Sequence, residues 1–409
     1  MKILNIGSCN IDYVYSMNHI VKVGETETTD SLEIFAGGKG LNQSIAVAKA
    51  GMKVYHAGCI GCDGDMLLDI LKENGVDVSF LHKSDEKNGH AIIQVSSAGD
   101  NSIFIYPGSN HTVTKAYIDS VLSNFSKGDM LLLQNEISNV EYIIERAYQK
   151  QMCILLNPSP FDEKMKKLDY NLVSYLILNE VEVQEITGCD DVEESIHRMK
   201  TKYPELKVML TLGSKGCIYF DAQQHLRQSA YKVKVADTTA AGDTFTGYFT
   251  AELSRGKPMR EILGIASAAS AIAVSRKGAA PSVPHMEEVL ASFAKMEENK
   301  SDANEELKRR IEQYIQAHIK DAKLEELAKK LGYSAVYTGR LVRKVTGVPF
   351  SKAVQSRRCA YAAELLLNTK MSVAEIIESV GYENESFFRT VFKNKYGKNL
   401  LEFRKQGVK

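Results

Sequence analysis

The sequence predicts a layered α/β body followed by a smaller all-helical tail, and three observations carry that prediction. From the start to about residue 297, short β-branched or leucine-rich runs alternate with stretches of helical period, the pattern of strands feeding helices around a sheet. Beyond residue 305 every segment has helical period. Charge changes sign at the same point. Residues 305–409 carry 21 Lys+Arg against 12 Asp+Glu, a net of +9; with 51 of each in the whole chain, the other 304 residues carry 30 against 39, a net of −9. A formal net charge of zero therefore joins an acidic body to a basic tail. The length, 409 residues, suits two or three domains.

Lys2–Ile6 reads as the first buried strand, and the chain turns polar by Asn10 and Asp12, too early for the apolar core of a signal peptide. Met130–Gln134, Cys153–Asn157, Leu176–Leu178 and Val208–Leu212 are further strands, each followed by a polar or glycine-bearing turn and then helix-like sequence. Polar residues at such strand ends sit where α/β sheets bind ligands. Between Gly89 and Tyr106 the period changes to two around the turn Ala98–Asn101, which predicts a hairpin suited to a lid. Glu297–Asn304, E-E-N-K-S-D-A-N, is polar and without periodicity, so the division expected is a body 1–297, a linker 298–304 and a tail 305–409. The tail repeats itself. An amphipathic helix ends in Gly-Tyr (Leu324–Tyr333, then Val373–Tyr382), and a second helix rich in Arg and Lys ends at Gly347 and at Gly397. Two helix-turn-helix units about fifty residues apart follow from that repeat.

Several classes of function are excluded. Leu263–Val274, the longest weakly polar stretch, is about a dozen residues and contains serines, too short and polar to span a bilayer. The seven cysteines are scattered singly except Cys59 and Cys62, and that lone C-x-x-C has no second pair and no histidine at ligand spacing, so two thiols are expected there rather than zinc. A cytoplasmic, reduced protein is the simplest expectation.

The chemistry concentrates in two small-residue runs. D-T-T-A-A-G-D-T-F, Asp237–Phe245, sets two carboxylates around a turn at an expected helix start near Asp243. Ala240, Ala241 and Gly242 let backbone N–H groups approach an anion, and the helix adds its positive end. Asp243, one residue beyond, could take a proton from an attacking hydroxyl. A capped, ordinary turn is the alternative for this run taken alone. The second run, A-G-G-K-G-L-N at Ala36–Asn42, precedes a helix expected over Gln43–Ala50. It is not a Walker A loop, because Gly40 stands where Ser or Thr would bind magnesium, and it lacks the third glycine of a dinucleotide fingerprint. It remains a backbone that can approach a ligand closely, beside Asn42 as donor and acceptor. Asn10 and Asp12, at the end of the first strand, add a pair suited to the vicinal hydroxyls of a polyhydroxy ligand, and Glu136 ends another strand, although for any one of them a satisfied buried polar residue is the plainer explanation.

Taken together these residues resemble the ribokinase family of carbohydrate kinases over residues 1 to about 297. Both family signatures stand in order, G-G-K-G-L-N-Q at Gly37–Gln43 and D-T-T-A-A-G-D-T-F at Asp237–Phe245, with N-E-V-E at Asn179–Glu182 and T-L-G-S-K-G at Thr211–Gly216 between them. R-K-G-A-A-P-S-V-P at Arg276–Pro284 and the alanine at Ala240 are similar to the ribokinase branch in particular. The resemblance implies a sugar site from Asn10, Asp12, Gly38, Lys39, Asn42 and Glu136, with Asp243 as the base and the amides of Ala241, Gly242 and Asp243 around the transferring phosphoryl group. It implies ATP along Thr211, Gly213 and Gly216, with Asn179 and Glu182 near its phosphates and magnesium-linked water (Mg2+). It further implies a monovalent cation, K+, held largely through carbonyls of Asp237, Thr239, Ala273, Arg276, Gly278 and Ser282, and a homodimer formed through the lid. Ser267 departs from the family by replacing a histidine near adenine, and Ile103–Asn110 departs in the lid.

The tail, from about Glu305 to Gln406, resembles the AraC type of DNA-binding domain. The resemblance rests on Leu327-Ala328, Gly332-Tyr-Ser334, Tyr337, Arg340, Arg357, Leu365-Leu366, Ile376, Gly381-Tyr382, Ser386-Phe-Phe-Arg389, Phe392-Lys393, Gly397 and Phe403-Arg404. Each second helix is expected in a major groove, with Leu341, Phe388 and Phe392 on its apolar face. Tyr337, Thr338 and Arg340 in the first unit and Glu385, Ser386 and Arg389 in the second are the base-edge candidates; Arg343, Lys344 and Lys393 are candidates for phosphate. Phe387 and Phe388 are expected in the core rather than stacked on bases. Gly339, inside the first recognition helix, costs about 1 kcal/mol against alanine. The function expected is a sugar kinase fused to a sequence-specific DNA-binding regulator. The alternatives are a regulator whose kinase-like body senses sugar without turnover, and an enzyme whose tail makes only protein contacts.

Overall fold

A computed structural model describes residues 1–405, and for 299–303 the backbone alone. The chain divides into two compact units, Met1–Met296 and Glu297–Lys409.

In the first unit the strands are β1 (Ile3–Ile6), β2 (Asn10–Met17), β3 (Ser31–Gly37), β4 (Val54–Ile60), β5 (Asp77–Lys83), β6 (Gly89–Ser96), β7 (Asn101–Tyr106), β8 (Met130–Gln134), β9 (Cys153–Asn157), β10 (Tyr175–Asn179), β11 (Lys207–Thr211), β12 (Cys217–Phe220) and β13 (His225–Gln228). Nine of them form one sheet in the order β13-β12-β11-β10-β9-β8-β1-β4-β5, and the other four form a second sheet, β3-β2-β6-β7. In the large sheet β11 to β5 run parallel, and only β12 and β13 are antiparallel additions. Its strands are apolar at nearly every position because both faces are covered. Successive residues feed opposite cores: Ile3, Met130, Leu132, Leu155 and Met209 join one, and Leu4, Leu131, Leu133, Ile154 and Leu210 the other. This is a three-layer α/β/α body.

The small sheet is the lid. β2 pairs antiparallel with β3 and parallel with β6, which places Asn10 opposite both Gly37 and Gly89. The expected hairpin is β6–β7, turning at residues 97–100.

Two boundaries differ from the sequence expectation. The helix after the first glycine run starts at Lys39 rather than Gln43, with Gly38 at φ 90 as its cap. The helix expected near Asp243 starts at Ala241, because Ala240 turns into the left-handed region at φ 58. These two helices cross closely. A Cβ on Gly247 would lie 2.3 Å from the Ala46 Cβ, so only glycine permits the approach.

The segment read as a linker is helical in its backbone. A single helix, Met286–Ala317, runs through 298–304. The run holds one Glu, one Lys and one Ala against two Asn, a Ser and an Asp, so its own propensity is modest; it extends a helix already begun at Met286, and adding residues to a formed helix costs far less than starting one.

The second unit contains both helix-turn-helix pairs, Leu324–Leu331 with Ala335–Thr346 and Val373–Ser379 with Glu385–Tyr396, separated by the helix Phe350–Asn368. Ser334 and Asn384 cap the two recognition helices by accepting the Tyr337 and Phe387 amides, and Gly347 and Gly397 end them in the left-handed conformation. Arg358 ties the pairs together: its guanidinium donates to the carbonyls of Ile319, Lys320 and Gly381 at 2.8, 2.6 and 3.1 Å. Residues 406–409, the end of the expected tail, lie outside the described residues.

Candidate active site and DNA-reading face

The carboxyl ends of neighbouring strands present a row of polar residues. Gln134 ends β8 opposite Asn157 of β9, and Asn179 ends β10 opposite Thr211 of β11. Asp243 faces this row from the first turn of Ala241–Ser254, almost fully buried. Its Oδ2 accepts from Asn42 Nδ2 at 3.0 Å and its Oδ1 from Gln43 Nε2 at 2.9 Å. The Asn42 Oδ1 is buried with no partner, an acceptor left for a ligand. At the helix start, Ala241 N donates to Thr238 O at 3.3 Å, whereas the amides of Gly242 and Asp243 donate to no acceptor among the described residues. Those two orphan amides, at the positive end of a helix, form an anion cradle beside a carboxylate.

Acidic groups gather around one lysine. The Lys39 amide donates to Glu136 Oε2 at 2.9 Å, and Ser8 Oγ donates to the same oxygen. Desolvation opposes the Lys39 ammonium, but Asp243, Glu136 and Glu182 outweigh it and raise its pKa. Glu136 is raised mainly by burial. Asp12 is raised from 3.8 to about 7, first by burial and then by the charges of Glu136 and Asp243. A Cβ on Gly37 would sit 2.0 Å from Asp12 Oδ2, so that glycine makes room for the carboxylate. Asn10 is buried and its Oδ1 accepts from Asn110 at 2.7 Å. Asp12, Lys39, Asn42, Glu136 and Asp243 are therefore joined by hydrogen bonds and mutual charge interactions, with Asn10 on the same strand as Asp12, and their donors and acceptors suit a polyhydroxy ligand.

Asn179 and Glu182 cap the helix Glu180–Thr187 reciprocally, and Glu182 also accepts from Ser159 Oγ. Glu182 is therefore buried and already bonded, and Asn179 keeps its Nδ2 for a ligand. Thr211, Gly213 and Gly216 share the turn after β11. Of the third expected cluster, three residues are joined: Asp237 Oδ1 accepts from Thr239 N and Oγ1 at 2.8 and 2.6 Å, and its Oδ2 from Gly278 N at 3.0 Å. Burial raises the Asp237 pKa, yet these bonds outweigh it and lower the value. With Asp237 so occupied, a hard cation here would draw on carbonyl oxygens of the loop. The Arg276 side chain pairs instead with Glu288, and Ser282 Oγ donates to Ala279 O at 2.7 Å.

On the tail, Tyr337, Arg340, Arg343, Glu385, Ser386, Arg389 and Lys393 are exposed. Thr338 is not: it is fully buried, with its Oγ1 unpartnered, so it cannot reach a base edge. The fifty-residue repeat aligns Thr338 with Phe388, also fully buried, and that signal was available in the sequence. Phe388 and Phe392 pack in the core as expected, but Phe387 is 53% exposed; in the first unit Val342 is buried and Leu341 only half-buried.

Residues 1–286 match the family model described as pfkB family carbohydrate kinase. The chain belongs to that family. Its similarity runs to the ribokinases within it: the ribokinase of Haemophilus influenzae is 33% identical over 294 residues, covering 70% of this chain and 96% of that protein, and the ribokinase of Schizosaccharomyces pombe is 35% identical over 315 residues, covering 72% and 98%. Among solved structures, the ribokinase of Thermotoga maritima aligns with a TM-score of 0.65 at 33% identity over 72% of this chain and 99% of its own. Ribokinase of Arabidopsis thaliana, complexed with ribose and ATP, aligns at 0.64 with 28% identity over 71% of this chain and 98% of its own. Residues 327–406 match a model described as a helix-turn-helix domain. The chain is an ATP-dependent carbohydrate kinase of ribokinase type joined to an AraC-type DNA-binding domain. No helix among the described residues is long and apolar enough to cross a membrane.

Several residues of this kinase site escaped the sequence reading. Ser8, Gln43, Asn110, Gln134 and Asn157 each bond to a predicted site residue or to its partner. Gln134 had a visible signal, as the polar end of the otherwise apolar Met130–Leu133 run.

Proposed function

We propose that this chain transfers the γ-phosphoryl group of ATP to the primary hydroxyl of ribose or a similar small sugar, and that sugar or nucleotide occupancy sets how its tail binds DNA. Asp243 beside the unbonded amides of Gly242 and Asp243 carries the reading, because it combines a base with an anion cradle within one helical turn. In this reading Asn10, Asp12, Asn42 and Glu136 hold the sugar hydroxyls. Asp243 accepts the proton of the attacking hydroxyl, and the two amides with Lys39 meet the charge on the phosphoryl oxygens. Asn179 and Glu182 would hold the water shell of a magnesium ion carried by ATP, which would supply neutralisation of phosphate charge. Asp237 and the carbonyls of Thr239, Ala273, Arg276, Gly278 and Ser282 would hold K+. Relatives named ribokinase and deoxyribokinase support a pentose substrate.

Tyr337, Arg340, Glu385, Ser386 and Arg389 read base edges, and Arg343 and Lys393 contact phosphate. A homodimer through the lid is consistent with exposed Leu32, Ile34, Ile103, Phe104 and Tyr106 on its two edge strands. The setting is the cytoplasm, where ATP and DNA are both present.

A coupled ATP assay over a sugar panel tests the activity. Turnover on a pentose is expected, and Asp243→Asn lowers kcat by about 10²–10⁴-fold while sugar affinity changes far less. A variant that keeps wild-type turnover ends the assignment of the base. A wild-type chain that binds sugar without turnover leaves it a sensor.

A further inference from the structure

Gln43 lies fully buried between the catalytic helix and the sheet, and its orientation is determined. Its Oε1 accepts from Gln134 Nε2 at 2.6 Å, so its Nε2 must point the other way, where it donates to Asp243 Oδ1 at 2.9 Å and Asn157 Oδ1 at 3.2 Å. Gln134 is anchored in turn, donating to Asn5 Oδ1 at 3.1 Å, and Asn5 donates to Gly40 O and Ser44 Oγ, both at 2.8 Å. This file of carboxamides begins on β1 and β8 and ends on one carboxylate oxygen. A carboxylate has about four lone-pair positions. Asn42 and Gln43 take one on each oxygen of Asp243, which leaves each oxygen one more for a substrate hydroxyl.

We propose that Gln43, latched by Gln134, is a positioning residue that holds the Asp243 carboxylate in one rotamer, aimed for proton transfer. This rests on Asp243 being the base. Simple packing does not explain the file, since the two helices already meet at Gly247 and Ala46, and an apolar side chain could fill the space without the cost of burying amides. A donor to a charged oxygen makes a strong, directional hydrogen bond, so it fixes which way the carboxylate faces.

Steady-state kinetics of the full chain decide the matter, with ATP and the best sugar of the panel at pH 8. Gln43→Leu is expected to lower kcat about 10- to 100-fold, with both KM values within about twofold. Gln43→Glu keeps the shape but replaces the donor with a second carboxylate against Asp243, so its kcat falls at least as far, again with little change in KM. Gln134→Leu acts in the same direction by about threefold, because Gln43 keeps its bond to Asn157. Unchanged kcat in Gln43→Leu and Gln43→Glu, with Asp243→Asn inactive, overturns the inference and leaves the base in place. A rise in KM with kcat unchanged overturns it too, by making Gln43 a packing residue. Full activity in Asp243→Asn removes the base itself. If Gln43→Leu does not fold, as judged by thermal unfolding, Gln43→Glu and Gln134→Leu decide by the same split of kcat from KM.

Discussion

Asp243 meets its ligand with both carboxylate oxygens already bonded, whereas Arg340, Arg343 and Lys393 stand exposed on the tail with no side-chain hydrogen bond or ion pair among the described residues. Arg389 is the intermediate case, paired with Glu385 at 3.1 Å one turn away. The pocket is organised before sugar arrives, since polar groups buried without water must find partners in the protein. The reading face leaves its partners to be supplied by the ligand, because water satisfies exposed cations at little cost. What a pocket of the first kind gains is geometry, sensitive to single atoms. A face of the second kind gains summed attraction, sensitive to ions.

Salt gives the largest separation between the two. With about 6–10 phosphate contacts, DNA affinity should fall about 10³–10⁵-fold between 50 and 200 mM salt, while kcat changes less than about twofold. A gel-shift series beside a coupled assay measures both, and equal sensitivity breaks the comparison. Phe392→Ala comes next. That ring stands against Phe388, Tyr396 and Phe403 in the core of the second helix-turn-helix unit, so its loss should cost the tail about 3–5 kcal/mol by chemical denaturation. Sugar turnover should be unchanged; a parallel loss of turnover shows that the body depends on the tail's fold. The smallest effect is that of pH. With the Asp12 pKa at about 7, its carboxyl is neutral below that value and an acceptor above it, so the KM for sugar should fall by up to about tenfold as pH rises from 6 to 8. DNA affinity carried by Arg and Lys should stay flat over the same range, and a KM independent of pH removes Asp12 from sugar binding.

The candidate catalytic residues were legible because they lie in two short runs with unusual small residues. The order of strands was legible from apolar runs of strand length. The failures are local and have physical causes. Thr338 looked like a reader because threonine suits a base edge, but it sits in helical phase with Val342, and that phase turns both inward. The polar run 298–304 has no apolar stripe, the mark of a linker, yet its backbone continues the helix begun at Met286, because extending a helix costs less than nucleating one. Gln43 was quoted as part of a signature and given no role, since a glutamine's partner cannot be read from its neighbours in sequence.

By itself the sequence determined the two architectures, the acidic body and basic tail, the helix-turn-helix repeat, and the two small-residue runs that carry the proposed base. These depend on period, composition and residues adjacent in the chain. Only the tertiary structure decided that Asn42 and Gln43 meet Asp243 from two hundred positions away, that Gly242 and Asp243 keep their amides unbonded, and that Arg358 clamps two turns of the tail. Each of these is a match between groups distant in sequence, set by how helices cross and strands align, and no local pattern encodes such a match.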